Sequence, residues 1–212
     1  MTAASLDDAL PRFGDRRRIR VGLLGGSFNP AHGGHLHIAR AALRRLRLDQ
    51  VWLLVSPGNP LKPKSGMAPL AARLGSARGI ADGRRIVATA IERALGTRYT
   101  ADTIALLQRL FPRVRFVWLM GADNLVQLPR WDRWRRIAAD VPLAVLPRPG
   151  ATRKALASRA SHALRAGRRI AERAPALPAL APPCWCLLPI RENPLSATAL
   201  RNGARVCTGD DP

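Results

Sequence analysis

Residues 19–55 read IRVGLLGGSFNPAHGGHLHIARAALRRLRLDQVWLLV. The run opens on Ile19 to Leu24, apolar enough for a buried strand, and stops at Gly25-Gly26. From 35 to 47 the period changes: Leu36, Ala39, Leu43 and Leu46 recur at helical spacing, with arginines on the opposite face. Val51 to Val55 is a second apolar run, closed by Ser56-Pro57-Gly58-Asn59-Pro60. Strand, helix and strand at this spacing make a crossover unit, and a crossover implies a parallel sheet.

The alternation continues outward. Helices are expected over 68–79, 100–110 (with Thr100 or Asp102 at the cap) and 131–139, and strands over 85–88, 114–120 (closed by Gly121), 142–146 and 185–190. Residues 152–173 read as an arginine-rich helix weakened by Gly167, and the proline- and alanine-rich stretch 174–183 as an irregular connection. Residues 196–202 read as a short helix before a frayed acidic tail. The pattern predicts an α/β fold, a Rossmann-like doubly wound parallel sheet with a small C-terminal helical subregion. At 212 residues it forms one domain, with a core over about 19–150 and the subregion over about 151–212.

Composition narrows the classes. An apolar fraction of 47% argues against wholesale disorder. No apolar run is long enough to span a membrane, and the charged first 18 residues do not form a secretory signal. Cys184, Cys186 and Cys207 lack the spacing of a zinc knuckle or a disulfide framework, so free thiols in a reducing compartment, the cytoplasm, are expected. The net charge of +21 points to an anionic partner, either nucleotides or nucleic acid. Only Lys62, Lys64 and Lys154 are lysines, however, and little aromatic character interleaves the basic runs, so nucleic acid is not expected as the main partner.

The loop from Gly25 to His35 carries the chemistry. It lies at the carboxyl end of the first strand, where an open parallel sheet binds its ligands. Its paired glycines let backbone approach a phosphate, and the next helix offers free N–H groups to an anion. His32 and His35 stand at the mouth of that helix, where both rings reach one ligand and donate to phosphoryl oxygens as charge grows on them. A helix-capping pair is the plain alternative. A zinc site lacks support, because His37 points around the helix and no thiolate or carboxylate joins the set.

Other segments carry residues suited to the same kind of ligand. Ser196 suits the cap of a short helix, with Arg201 one turn on to hold phosphate oxygens. Lys62 follows the second strand. Thr100 and Ala101 open a helix whose backbone N–H groups could meet a carboxylate, and plain helix capping explains the stretch equally well. Asp123, after the fourth strand, suits a ribose hydroxyl. Trp131 and Trp134 are three apart, and Trp134 reads as core.

The stretch Gly25-Gly26-Ser27-Phe28-Asn29-Pro30 through His35 resembles the H-x-G-H signature of the nucleotidylyltransferase superfamily, in the longer form of the bacterial nicotinate-nucleotide adenylyltransferases. Pro194-Leu195-Ser196-Ala197-Thr198-Ala199-Leu200-Arg201 resembles that family's Ile-Ser-Ser-Thr-x-Ile-Arg, departing at Ala197 and at two leucines. Leu61 stands where the family's Pro-His-Lys loop has histidine, and Tyr99 to Thr103 is similar to its Tyr-Thr-x-Asp-Thr.

The resemblance implies catalytic roles for His32, His35 and Arg201. It implies ATP and phosphate contacts at Gly25, Gly26, Ser27, Phe28, Lys62, Gly121, Asp123, Ser196 and Thr198. It implies nicotinate mononucleotide contacts at Asn59, Thr100, Ala101, Asp102, Trp131 (stacking on the pyridine ring) and Asp132 (through its main chain). No metal ligand is expected from the protein, and Mg²⁺ is expected to arrive on the phosphates of ATP. The implied reaction transfers the adenylyl group of ATP to nicotinate mononucleotide and releases pyrophosphate. A pantetheine-phosphate type of adenylyltransferase and a basic nucleic-acid-binding protein are the alternatives. Oligomeric state stays open, a homo-oligomer included.

Overall fold

The computed structural model describes residues 17–58, 66–188 and 190. β1 (Arg20–Gly26), α1 (Gly33–Arg45) and β2 (Gln50–Val55) form the crossover unit with which the sheet begins. There follow α2 (Leu70–Ile80), β3 (Ile86–Thr89), α3 (Ile91–Ala94), α4 (Thr100–Leu110), β4 (Arg115–Gly121), α5 (Ala122–Gln127), α6 (Trp134–Asp140) and β5 (Leu143–Leu146). The chain closes through α7 (Thr152–Leu156), α8 (Arg159–Ala163), β6 (Arg168–Arg169) and β7 (Trp185–Leu187).

The seven strands lie in the order β3-β2-β1-β4-β5-β7-β6, and every pairing is parallel. The direction of winding reverses between β1 and β4, which pair Arg20 with Arg115 through Leu24 with Leu119. Alternate residues of each strand feed opposite faces. Val21, Leu23, Trp52, Leu54 and Trp118 pack with α4 and α6 on one side, and Leu24, Leu53, Val117 and Leu119 pack with α1 and α2 on the other. Two apolar layers on one sheet make the doubly wound fold that the alternation predicts. No helix among the described residues is long and apolar enough to cross a membrane.

Two departures from the sequence reading have local causes. The helix expected over 131–139 starts only at Trp134, because Leu128–Arg130 is a tight 3-10 turn around Pro129 and Arg133 sits in the left-handed region with φ 47°. Trp131 therefore stands in extended backbone outside the helix. The helix expected over 152–173 divides into α7 and α8 because Ser158 caps a new start, its Oγ accepting from the Ser161 N–H at 3.3 Å. Past α8 a turn at Arg165–Gly167 leads into β6.

The stretch 174–183, expected to be irregular, is entered by a 3-10 helix over Ala171–Ala179 that contains Pro175 and Pro178. β7 ends at Leu187, short of 190. Through β6 and β7 the C-terminal subregion extends the sheet as well as supplying helices. The short α3 and α5 carry too few periodic residues to be read from sequence. The helix expected over 196–202 lies outside the described residues.

Candidate functional site

A cleft of about 470 Å³ opens where β1 and β4 part. Gly25, Gly26 and Ser27 from the end of β1 form one wall. Ser56 and Gly58 follow β2, Asp123 and Asn124 open α5, and Tyr99, Thr100, Trp131 and Asp132 close the far end. Gly25 is obligatory for the close approach of β4, since a Cβ there would stand 2.8 Å from the Trp118 ring.

The glycine-rich loop is bolted down from behind. Asn29 is buried, donates through Nδ2 to the Gly66 carbonyl at 2.9 Å, and accepts the Ala68 N–H at 3.3 Å. The Ala31 N–H donates to Ser76 Oγ of α2 at 3.0 Å. Phe28 adopts φ 47°, a left-handed conformation costing roughly 1–2 kcal/mol for a residue with a Cβ. Its buried ring presses on Gly26 and lies 4.7 Å from the His35 ring, so Phe28 supports the loop from behind the cleft wall.

His32 and His35 cap α1 reciprocally. The Gly34 N–H donates to His32 Nδ1 at 3.1 Å, and the His32 N–H donates to His35 Nδ1 at 3.2 Å. The rings lie 3.9 Å apart. An imidazole that accepts at Nδ1 carries its neutral-form proton on Nε2, so the caps fix both tautomers and turn two N–H donors away from the backbone. Burial, and secondarily the Arg148 cation, hold the His32 pKa below the usual histidine range. The capping alternative is thus what the hydrogen bonds show, and the caps set the orientation of both rings.

Gly121 ends β4 and caps α5, and a Cβ there would run into the Asp123 carboxylate and come within 3.2 Å of Arg148 Nε. Arg148 Nε lies 3.9 Å from Asp123 Oδ1 and is buried without a hydrogen-bond partner. Sequence reading missed this arginine because only tertiary folding brings residues after β5 to the His32 side of the cleft.

At the far end, the first intrahelical bonds of α4 run from the Asp102 and Thr103 N–H groups to the Tyr99 carbonyl at 3.0 and 3.1 Å. The Thr100 and Ala101 N–H groups stand ahead of that ladder, as helix starts require. Tyr99 is the N-cap and makes no side-chain cap bond, so the expected caps Thr100 and Asp102 serve otherwise. Arg133 bridges Asp132 at 2.6 Å and Asp102 at 2.7 Å. Trp131 lies edge-on to Trp118 at 6.2 Å, whereas Trp134 is buried in the core.

Among the sequence-predicted site residues, Gly25, Gly26, Ser27, Thr100, Asp123, Trp131 and Asp132 line this one cleft. Phe28, Gly121, Ala101 and Asp102 lie within two residues of those in the chain without lining it, and His32 and His35, at the start of α1, do not line it. Asn59, Lys62, Ser196, Thr198 and Arg201 lie outside the described residues. Glu92, Arg98, Gln127 and Arg130 line the wall without having been singled out from sequence. Glu92 is 8% exposed, and burial pushes its carboxyl up to about 7, against a hydrogen bond from Thr103 Oγ1 at 3.3 Å.

A family model described as cytidylyltransferase-like matches residues 23–203. The chain is 60% identical over 187 residues to a probable nicotinate-nucleotide adenylyltransferase of Gluconobacter oxydans, an alignment covering 88% of this chain and 96% of that one. It is 56% identical over 183 residues to a protein of the same name from Parvibaculum lavamentivorans, covering 86% and 91%. In fold it is similar to Plasmodium falciparum nicotinic acid mononucleotide adenylyltransferase complexed with NaAD, with TM-score 0.64 and 15% identity over 87% of this chain and 83% of that one.

Proposed function

The chain belongs to the nicotinate-nucleotide adenylyltransferases of the cytidylyltransferase-like family, and we infer that it transfers the adenylyl group of ATP to nicotinate mononucleotide, a step of NAD biosynthesis. The observation that carries the reading is the cleft itself. It joins a glycine-rich, helix-capped anion site at one end to a tryptophan wall and a helix start at the other. Such a cleft takes a triphosphate and an aromatic carboxylate side by side.

The phosphate of the mononucleotide is an anionic nucleophile and needs no general base. Its oxygen attacks the α-phosphorus of ATP in line; the new P–O bond forms as the bond to pyrophosphate breaks, giving nicotinate adenine dinucleotide. What the protein supplies is positioning and charge stabilisation. His32 and His35 donate from Nε2 to the phosphoryl oxygens, and Gly25, Gly26 and Ser27 let the backbone approach. Arg148 adds positive charge beside His32. Lys62, Ser196, Thr198 and Arg201 hold the departing pyrophosphate in this reading. Asp123 accepts from a ribose hydroxyl, Trp131 stacks on the pyridine, and the Thr100, Ala101 and Asp132 main chain receives the carboxylate.

Among the described residues no group of three His, Cys, Asp or Glu is placed to hold a metal ion. Asp123 and Asp132 on the wall each pair with an arginine. In this reading Mg²⁺ would arrive on the phosphates of ATP, where it would neutralise polyphosphate charge. A cytoplasmic location goes with this reading, and the buried free thiols of Cys184 and Cys186 suit a reducing compartment.

The test is to follow pyrophosphate release from ATP and Mg²⁺ with nicotinate or nicotinamide mononucleotide. Release strongly favouring the nicotinate form is expected. Comparable release with both keeps the chemistry and overturns the specificity, and release only with pantetheine phosphate overturns the assignment.

A further inference from the structure

Arg73 on α2 is 2% exposed and lies outside every motif read from the sequence. Its Nε donates to the Ala68 carbonyl at 2.9 Å. Nη1 donates to the Ser27 carbonyl at 2.8 Å and to the Ser56 carbonyl at 2.7 Å, and Nη2 reaches Pro57 at 3.5 Å. One planar fork thus ties the loop after β1 to the loop after β2 and both to the start of α2. Ser27 and Ser56 stand on the cleft wall, so the guanidinium is one carbonyl group behind it.

Its charge is the unusual part. A buried cation is ordinarily paired with a carboxylate. Among the described residues none pairs with Arg73, and desolvation alone acts on its pKa, lowering it. A guanidinium keeps its proton all the same. The carbonyl dipoles solvate it without cancelling it, so a fixed positive charge sits under the polyphosphate end, in surroundings that weaken the field less than water does.

We propose that Arg73 is a positioning residue for the polyphosphate: its fork sets the spacing of the Ser27 and Ser56 loops, and its charge is completed by the triphosphate when ATP binds. The inference rests on the adenylyl-transfer reading and names the residue through which the phosphate end is held. It acts through the two loops and touches no reacting atom.

The test titrates inorganic pyrophosphate and nicotinate mononucleotide, with Mg²⁺, into the wild type, R73Q and R73K, beside steady-state kinetics. R73Q removes the charge and most of the fork. Its pyrophosphate affinity is expected to fall about tenfold and its kcat roughly 10- to 100-fold, with the KM for the mononucleotide within about twofold. R73K keeps the charge without the planar fork, and is expected to recover most of the pyrophosphate affinity but not the kcat.

Pyrophosphate binding by R73Q at the wild-type level overturns the proposal. So does an equal loss of both ligands, which marks general loosening, and so does R73K binding pyrophosphate no better than R73Q. Should R73Q fail to fold, R73K decides through the same split: its kcat falls while both affinities hold, and unchanged kcat overturns the positioning role. A wild type that binds pyrophosphate but forms no dinucleotide counts against the assigned reaction, while the comparison between variants still decides the role of Arg73.

Discussion

The two ends of the cleft stand on buried groups of opposite kind. Under the end proposed for the phosphates lies Arg73, 2% exposed, spread over four carbonyls. Beside the end proposed for nicotinate lies Glu92, 8% exposed, meeting the Thr103 hydroxyl, which in turn lies 2.9 Å from the Thr97 hydroxyl. Burial works against charge in both cases, with different results. The guanidinium stays a cation, whereas the carboxyl, pushed up to about 7, is largely neutral in mildly acidic solution. A permanent cation suits an end that receives phosphates, and a protonated acid suits one that receives a carboxylate. Desolvation, opposed at Glu92 by the Thr103 hydrogen bond and outlasted at Arg73 by the basicity of the guanidinium, thus leaves one cleft with a fixed charge and a titratable group.

The strongest way to break this division of labour is to remove a donor at the phosphate end. His35→Ala is expected to lower kcat by roughly 10²–10³-fold, the range for losing one preorganised donor to a developing oxyanion. The same change deletes half of the α1 cap, which costs about 1 kcal/mol of stability, so a melting curve accompanies the assay. A folded variant with near-normal turnover would remove His35 from the chemistry and leave it a cap. The opposite end should respond in KM rather than kcat. Trp131→Ala is expected to raise the KM for nicotinate mononucleotide roughly tenfold, as losing one base–aromatic stack does, and to leave that for ATP nearly unchanged. Equal rises for both substrates would show that the ends are not separate binding sites.

The ends also differed in how far sequence disclosed them. Gly25 to His35 is legible because its geometry is local: glycines at a strand end, two histidines three apart, and a helix capped by those same side chains. The alternating apolar runs likewise disclosed the strand–helix order through β5, since β1 to β5 contribute buried residues to both faces. The nicotinate end is built by tertiary contact. Arg133 reaches Asp102 across 31 positions while also pairing with Asp132, and its left-handed backbone puts the start of α6 at Trp134, against the helical period. Arg73 and Arg148 were hidden by composition. In a chain with 35 basic residues, two arginines do not stand out until burial singles out one and an orphaned Nε the other.

The smallest effect is the one that sharpens the comparison most, and it concerns pH. Folding raises the Glu92 pKa from the ordinary carboxylate range to about 7, so between those values the folded chain binds a proton that the unfolded chain releases. The stability this proton confers is complete below the unfolded pKa and is lost as pH rises through about 7. Glu92→Gln keeps the shape and cannot ionise. Its melting temperature should match the wild type near pH 5 and exceed it near pH 8 by a few degrees, about 2–4 °C per kcal/mol for a chain of this size. Because Glu92 lines the cleft, substrate should report the same titration. The wild-type KM for nicotinate mononucleotide is expected to rise between about pH 6 and pH 8 as a second carboxylate forms beside the first, and the glutamine variant should show no such rise. A difference in melting temperature that stays flat with pH would mean that Glu92 is ionised throughout, and the contrast between a permanent and a titratable buried charge would fall with it.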